Sequence, residues 1–101
     1  MGLEVVVPRV ASVGLAALLD RLAAAGLPSG LAMVDNVLQG PGATPPAVWR
    51  DVRLRTPAGV VTLRRVASGV AVVVFGNADE ALRAAQRTIA ETLLTLHGPP
   101  P

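Results

Sequence analysis

The sequence contains no cysteine, no lysine and no tyrosine, and its aromatic residues are one tryptophan and one phenylalanine. Without cysteine, the chain can form no disulfide and offers no thiolate as a nucleophile or metal ligand. With so few aromatic side chains, it has almost nothing on which nucleic-acid bases stack. A net charge of +2 is also low for a protein that follows a phosphate backbone. These absences argue against nucleic-acid binding.

The residue types that carry acid–base and metal chemistry are equally scarce. His97 is the single histidine, and it precedes Gly-Pro-Pro-Pro, where a histidine is typical of a helix C-terminus rather than of a catalytic base. No set of residues has metal-ligand spacing, and no serine lies in a Gly-x-Ser-x-Gly motif. We therefore expect no catalytic residue, no cofactor and no metal site, and we predict that the protein is not an enzyme.

Long apolar runs are missing as well, although 51% of the residues are hydrophobic and only 16% are charged. No stretch approaches the roughly 20 apolar residues of a membrane-spanning helix, and the first residues lack the basic start of a signal peptide. We therefore expect a cytoplasmic protein without a membrane span. The use of arginine alone, among many Ala, Gly, Val and Leu residues, is typical of a GC-rich bacterial genome. The excess of apolar residues favours a subunit interface in which they would be buried.

The domain organisation follows from the length. At 101 residues, the chain suits one domain. We predict a single domain over residues 1–97 and a disordered, proline-rich tail over residues 98–101.

The N-terminal third predicts a strand and a helix. The apolar run from Leu3 to Val7 is typical of a short strand. Leucines at helical spacing predict a helix over about 11–26. Ser12 is its predicted N-cap, and Gly26 followed by Leu-Pro is its predicted stop.

The segment from Gly30 to Leu38 predicts a second strand, and a loop rich in proline and glycine follows it over residues 39–46. Asp35 and Asn36 form the one polar pair inside this apolar segment. A bulge or strand-end turn is typical of such a pair, and a functional role is the alternative.

Alternating apolar and polar residues predict a three-stranded antiparallel meander over about 49–75. In one register of its first hairpin, Leu54 faces Val61 and Asp51 faces Arg64. A shift by one residue would mix apolar and polar side chains on both faces, so we predict the first register.

The second hairpin of the meander has its own turn signal. Ser68-Gly69 predicts a two-residue turn of the primed kind. This turn would place Leu63 opposite Val74 and Arg65 opposite Val72. The last strand, VAVVVF, would then be apolar on both of its faces.

The passage FGNADEALRAAQRTIAETLLTL predicts a long amphipathic helix over about 78–97, directly after that strand. Asn77 followed by Glu80 is typical of a helix start, with the asparagine side chain as the cap. Asp79 and Glu80 would repel a phosphate at this helix N-terminus. We therefore predict that the segment between the strand and the helix has a structural role and does not bind an anion.

Together these elements predict an α+β two-layer sandwich, with the helices on one face of an antiparallel sheet. The other face carries apolar side chains that a solvated face would not normally hold. Either a second layer within the chain covers it, such as the first strand or Trp49, or a second subunit does; we favour the subunit. The predicted interface residues are Val60, Val73, Phe75, Arg53, Arg55 and Arg64.

The arginines of this set allow two interpretations. Guanidinium groups suit carboxylates and phosphates, so Arg53, Arg55 and Arg64 would fit an acidic patch on a partner. The alternative is a solvated strand face that discourages aggregation between edges.

The stretch VRLRTPAGVVTLRRVASGVAVVVFGNADEALRAAQRTIAETLLTL, residues 52–96, resembles the C-terminal half of a Roadblock/LC7 domain. In that family, a three-stranded meander precedes a long final helix, and residues 11–38 would fit the leading helix and strand. The chain differs in having only QGPGATPP where those domains carry a second strand and a middle helix. The resemblance implies a homodimer that scaffolds or regulates small GTPases and motors without catalysis.

A second resemblance points elsewhere. VVVFGNADEALRAA, residues 72–85, is similar to a strand-to-helix unit of bacterial microcompartment shell domains. We therefore predict a non-catalytic regulatory or scaffold subunit that acts through homo- or hetero-oligomerisation, with a protein partner and a homodimer or higher homo-oligomer. The alternative is a ferredoxin-like module that binds a small ligand or assembles into a shell.

Overall fold

A computed structural model describes residues 3–8, 14–40, 48–76 and 79–96. Within these ranges, one antiparallel sheet of six strands packs against two helices, which confirms the predicted α+β two-layer sandwich. The elements are β1 (Leu3–Pro8), α1 (Leu15–Ala24), β2 (Gly30–Val34), β3 (Val37–Leu38), β4 (Asp51–Thr56), β5 (Gly59–Val66), β6 (Gly69–Val74) and α2 (Glu80–Leu96). The strand order across the sheet is β1-β6-β5-β4-β2-β3.

The hairpin of β4 and β5 has the predicted register. Leu54 pairs with Val61, and Asp51 pairs with Arg64. The Thr56 hydroxyl closes the turn by donating to the carbonyl oxygen of Gly59 at 2.6 Å. Alternation excludes a register shifted by one residue, because that shift would mix apolar and polar side chains on both faces.

The hairpin of β5 and β6 is displaced by two residues from the predicted register, so that prediction was wrong. Leu63 pairs with Val72 rather than Val74, and the two turn residues are Ala67 and Ser68. Gly69 lies in the ladder opposite β1, and a Cβ there would collide with the carbonyl oxygen of Val7. The close approach of β1, and not the turn, therefore requires the glycine. A displacement of two residues leaves the face of every side chain unchanged.

The single strand predicted over residues 30–38 is two strands, β2 and β3, joined by a tight turn. Asp35 and Asn36 occupy that turn with φ values of 49° and 66°. Both angles lie in the left-handed region required by a type I′ hairpin, which Asp and Asn tolerate better than other side chains. The turn interpretation of this polar pair is confirmed.

The first helix is shorter than predicted. It begins at Leu15 after Gly14, without a side-chain cap, and the predicted cap Ser12 lies outside the described residues. The predicted stop is confirmed, since Gly26 has a φ of 85° and the amide of Leu27 donates to the Leu22 carbonyl at 2.8 Å. This is the Schellman arrangement.

The second helix begins at Glu80, and Asp79 is its cap. The Asp79 carboxylate accepts from the amide of Leu82 at 2.8 Å. The predicted cap, Asn77, lies outside the described residues, as do His97 and the tail. Asp79 fills the role because its carboxylate reaches the third amide of the helix and complements the helix dipole.

The core lies between the helices and the inner face of the sheet. It consists of aliphatic side chains from both layers, with Trp49 fully buried among them. The Arg65 guanidinium lies 4.3 Å from the centre of the Trp49 ring, and its Nε donates to the Trp49 carbonyl at 2.7 Å. The first strand is an edge of the sheet. Neither β1 nor Trp49 therefore covers the opposite face.

Candidate functional site

The face of the sheet that points away from the helices is the candidate site, and we call it the outer face. One row of paired residues crosses it from edge to edge. This row, which we call the central row, runs through Glu4, Val73, Thr62, Arg53, Met33 and Leu38. In β1, β4, β5 and β6, the residues two positions along the strand belong to the same face because side chains alternate. No helix or strand within the described ranges covers this face.

Large apolar side chains are exposed on the outer face. Phe75 is 54% exposed and Val60 is 48% exposed. Alternation places them two residues beyond Val73 and two before Thr62, in the adjacent row. Val6, from β1, is 43% exposed here. Phe75 contributes half of the aromatic residues of the chain to this surface.

Side chains in the middle of the outer face are less exposed than Phe75 and Val60. Val73 is only 4% exposed, and Thr62 and Ala71 are buried as well. Val73 thus lies on the predicted face but offers little surface to a partner. The contact surface available there comes from the longer side chains around it.

The basic side chains of the outer face differ in their partners. Arg64 forms an ion pair with Asp51, with 3.3 Å between Nε and Oδ2. Arg53 and Arg55 are exposed, and within the described ranges they form no ion pair or hydrogen bond. Glu4, at the β1 end of the central row, is also exposed, and it forms no ion pair or hydrogen bond within the described ranges. The face therefore combines an apolar region with free charges of both signs.

A shallow cleft of about 490 Å³ opens on this face. Its described lining residues are Arg53, Val60, Thr62, Phe75 and Leu82. Leu82 belongs to the first turn of α2, so the cleft reaches the end of the sheet where the last helix begins. A cation and a hydroxyl beside apolar walls suit a partner group with both an acidic and an apolar part.

Three of the predicted interface residues thus meet in the cleft: Arg53, Val60 and Phe75. Arg55 pairs with Val60 in the ladder and lies beside them. Arg64 lies apart, in its ion pair with Asp51.

Sequence reasoning missed Glu4 and Val6. Both belong to β1, and no pattern in the sequence indicated that β1 pairs with β6. Their alternation within Leu3–Val7 was the only available signal.

The carboxylate of Asp35 accepts two backbone hydrogen bonds that displace its pKa. Its Oδ1 accepts from the amides of Asp51 at 2.9 Å and Arg50 at 2.8 Å. These bonds stabilise the carboxylate and lower the pKa of Asp35 below its usual value, mainly through the Asp51 amide. The carboxylate fastens the hairpin of β2 and β3 to the start of β4. The arrangement is a structural clamp.

The described residues contain no group of three His, Cys, Asp or Glu side chains that would hold a metal ion. No helix among them is long and apolar enough to cross a membrane. No protein-family model, curated protein or solved structure matches the chain.

Proposed function

We propose that the protein is a non-catalytic scaffold or regulatory subunit that self-associates through its outer face. The observation that carries the proposal is the exposure of Phe75 and Val60 on a sheet face that no described helix covers. An exposed apolar group of this kind beside charged side chains is typical of a protein interface.

The energetics favour covering these side chains. Fully burying a large apolar side chain is worth about 1.5–3 kcal/mol, so the exposed halves of Phe75 and Val60 represent roughly 1 kcal/mol each. A symmetric contact counts both side chains twice. Phenylalanine also loses little conformational freedom in a contact, since it has few rotatable bonds.

The non-catalytic part of the proposal is supported by the chemistry of the described residues. The Asp35 carboxylate, whose pKa is lowered, is occupied by two backbone amides. Strongly displaced pKa values at catalytic sites normally belong to groups that are free to act on a substrate. The resemblance of residues 52–96 to Roadblock/LC7 domains implies the same kind of role, a homodimer without catalysis.

The test is the mass of the purified chain in solution. We expect light scattering at micromolar concentration to give a mass above the 10.3 kDa of one chain. Phe75→Glu should return it to one chain, because a carboxylate would be buried in the contact. Leu94→Glu is the matched control, since Leu94 is 50% exposed on α2, away from the outer face.

The folded state of each variant is checked by circular dichroism. Phe75 is more exposed than buried, so the folded single chain accommodates glutamate there. Val60→Glu gives an independent second position on the same face. A wild-type chain that stays at one-chain mass at high concentration overturns self-association.

A second candidate function is the binding of a small ligand, which the cleft favours. Its volume of about 490 Å³ lies within the range of known ligand pockets, and Arg53 supplies a cation beside apolar walls. Octanoate, a carboxylate with an apolar tail, is a suitable probe. Shifts in the NMR signals of Val60, Thr62 and Phe75 that disappear in Arg53→Met would support this function. Equal shifts in both proteins would exclude an Arg53-centred site.

A further inference from the structure

The central row of the outer face carries opposite charges on two of its strands. Glu4 lies on β1, and Arg53 lies three strands away on β4, with Val73 and Thr62 between them. Neighbouring strands are about 4.8 Å apart, so the two charges are separated by roughly 14 Å. They cannot form an ion pair within one chain. Each is exposed and has no partner among the described residues.

A twofold axis that runs parallel to the strands, between β5 and β6, makes this row complementary to itself. Face-to-face stacking about that axis exchanges β6 with the partner's β5, and β1 with the partner's β4. Glu4 then lies opposite the partner's Arg53, and Arg53 lies opposite the partner's Glu4. In the adjacent row, Phe75 lies opposite the partner's Val60, and the reverse contact repeats it.

The other in-plane axis gives the opposite result. If the twofold axis ran across the strands along the central row, Glu4 would face the partner's Glu4 and Arg53 would face the partner's Arg53. Like charges placed opposite each other across an interface are strongly disfavoured. The charges therefore select the axis parallel to the strands.

From this complementarity we propose that the outer face binds a second copy of the chain with two Glu4–Arg53 ion pairs between the protomers. The pairs flank an apolar centre made of Phe75 and Val60 from both chains. Stacked sheets lie about 10 Å apart, a distance that a glutamate and an arginine side chain span together. The proposal rests on the self-association proposed above and adds the partner, the axis and the residues that determine specificity.

Charge reversal tests the arrangement because its results depend on which copy carries which charge. In a dimer of Glu4→Arg, each of the two contacts brings two arginines together. In a dimer of Arg53→Glu, each contact brings two glutamates together. Each variant alone should dimerise about tenfold or more weakly than the wild type. An equimolar mixture should form a heterodimer near wild-type affinity, since both contacts then join opposite charges.

The double variant E4R/R53E should also dimerise near wild-type affinity, because its two pairs are restored with exchanged signs. Affinities are measured by sedimentation equilibrium, and mixed dimers are identified by native mass spectrometry. Both residues are exposed, so circular dichroism should show unchanged folding. Glu91→Arg, an exposed reversal on α2, is the control and should leave dimerisation unchanged.

The outcomes separate the arrangement from the association itself. If single variants dimerise as tightly as the wild type while Phe75→Glu does not, the arrangement is overturned and self-association through the outer face stands. If both single variants are weakened but neither the mixture nor E4R/R53E recovers, Glu4 and Arg53 do not face each other. If the wild-type chain is monomeric, self-association falls first, whatever the charge variants do.

Discussion

The inner and outer faces of the sheet are built from the same strands, yet they use their side chains differently. Along β5, Val61 and Leu63 point into the core and are fully buried, whereas Val60 points outward and is half exposed. The core cluster on the inner face is aliphatic except for Trp49. The outer face mixes apolar groups with arginines and a glutamate. The difference indicates that the inner face stabilises the fold and that the outer face contacts another molecule.

The largest expected effect is the difference in stability between substitutions on the two faces of β5. Leu63→Ala should lower the free energy of unfolding by about 2–5 kcal/mol, because it leaves a cavity among close-packed side chains. Val60→Ala should change it by less than about 0.5 kcal/mol. Urea denaturation, at concentrations low enough to keep the chain dissociated, measures both.

A large loss of stability in Val60→Ala under those conditions would contradict this comparison. It would mean that the outer face packs against another part of the same chain. The exposure of Val60 would then no longer support the proposed self-association.

The next effect concerns Gln86, a polar residue on the inner side. It is buried, and its Nε2 donates to the carbonyl oxygens of Val72 at 2.9 Å and Leu3 at 3.0 Å. Gln86→Met keeps most of the volume but removes both bonds, so we expect a loss of about 1–3 kcal/mol. Gln39→Met is the control, because the bond from Gln39 to Val37 is exposed. Equal losses in the two variants would show that burial of the amide contributes nothing.

The two faces also differ in how far the sequence predicts them. Alternation excludes a shift of one residue in both hairpins, because that shift mixes apolar and polar groups on both faces. A shift of two residues does not mix them, so the turn residues must decide between such registers, and the predicted turn placed the β5–β6 register wrongly. That register depends on Gly69, where β1 approaches, and no local pattern shows which strand an N-terminal apolar run will pair with.

The same reason explains the partial success at the candidate site. Phe75, Val60 and Arg53 were predictable because an apolar excess and free arginines on a non-core face can be read from alternation alone. Glu4 was not, since its place in the central row requires the pairing of β1 with β6. The helix caps lie between these cases: Asp79 and Asn77 are both good capping residues, and only the position of the first turn distinguishes them.

The edge of the sheet provides a pH-dependent test. The pKa of Asp35 is lower in the folded chain than its usual value, because two amides donate to the carboxylate. Its stabilising effect is therefore complete above the unfolded-state pKa of about 3.9, and it is lost as the pH falls toward the folded-state value. Asp35→Asn keeps the left-handed turn and one acceptor oxygen but cannot titrate.

We expect the unfolding midpoints of wild type and Asp35→Asn to differ at pH 6 and to approach each other below roughly pH 4. Thermal unfolding across this range measures the difference. A constant difference at every pH would show that the clamp does not depend on the charge of Asp35.

The smallest effect is expected from the ion pair on the outer face itself. Arg64 and Asp51 are 3.3 Å apart, but both side chains are partly exposed. Such pairs typically contribute about 0.2–1 kcal/mol, since water and salt screen the charges and the long side chain loses freedom. A double-mutant cycle with Arg64→Ala and Asp51→Ala should give a coupling within that range that shrinks as salt is added. A coupling that salt leaves unchanged would mean that the pair is covered by another part of the dissociated chain. The outer face would then be an internal surface, and its difference from the inner face would be one of composition alone.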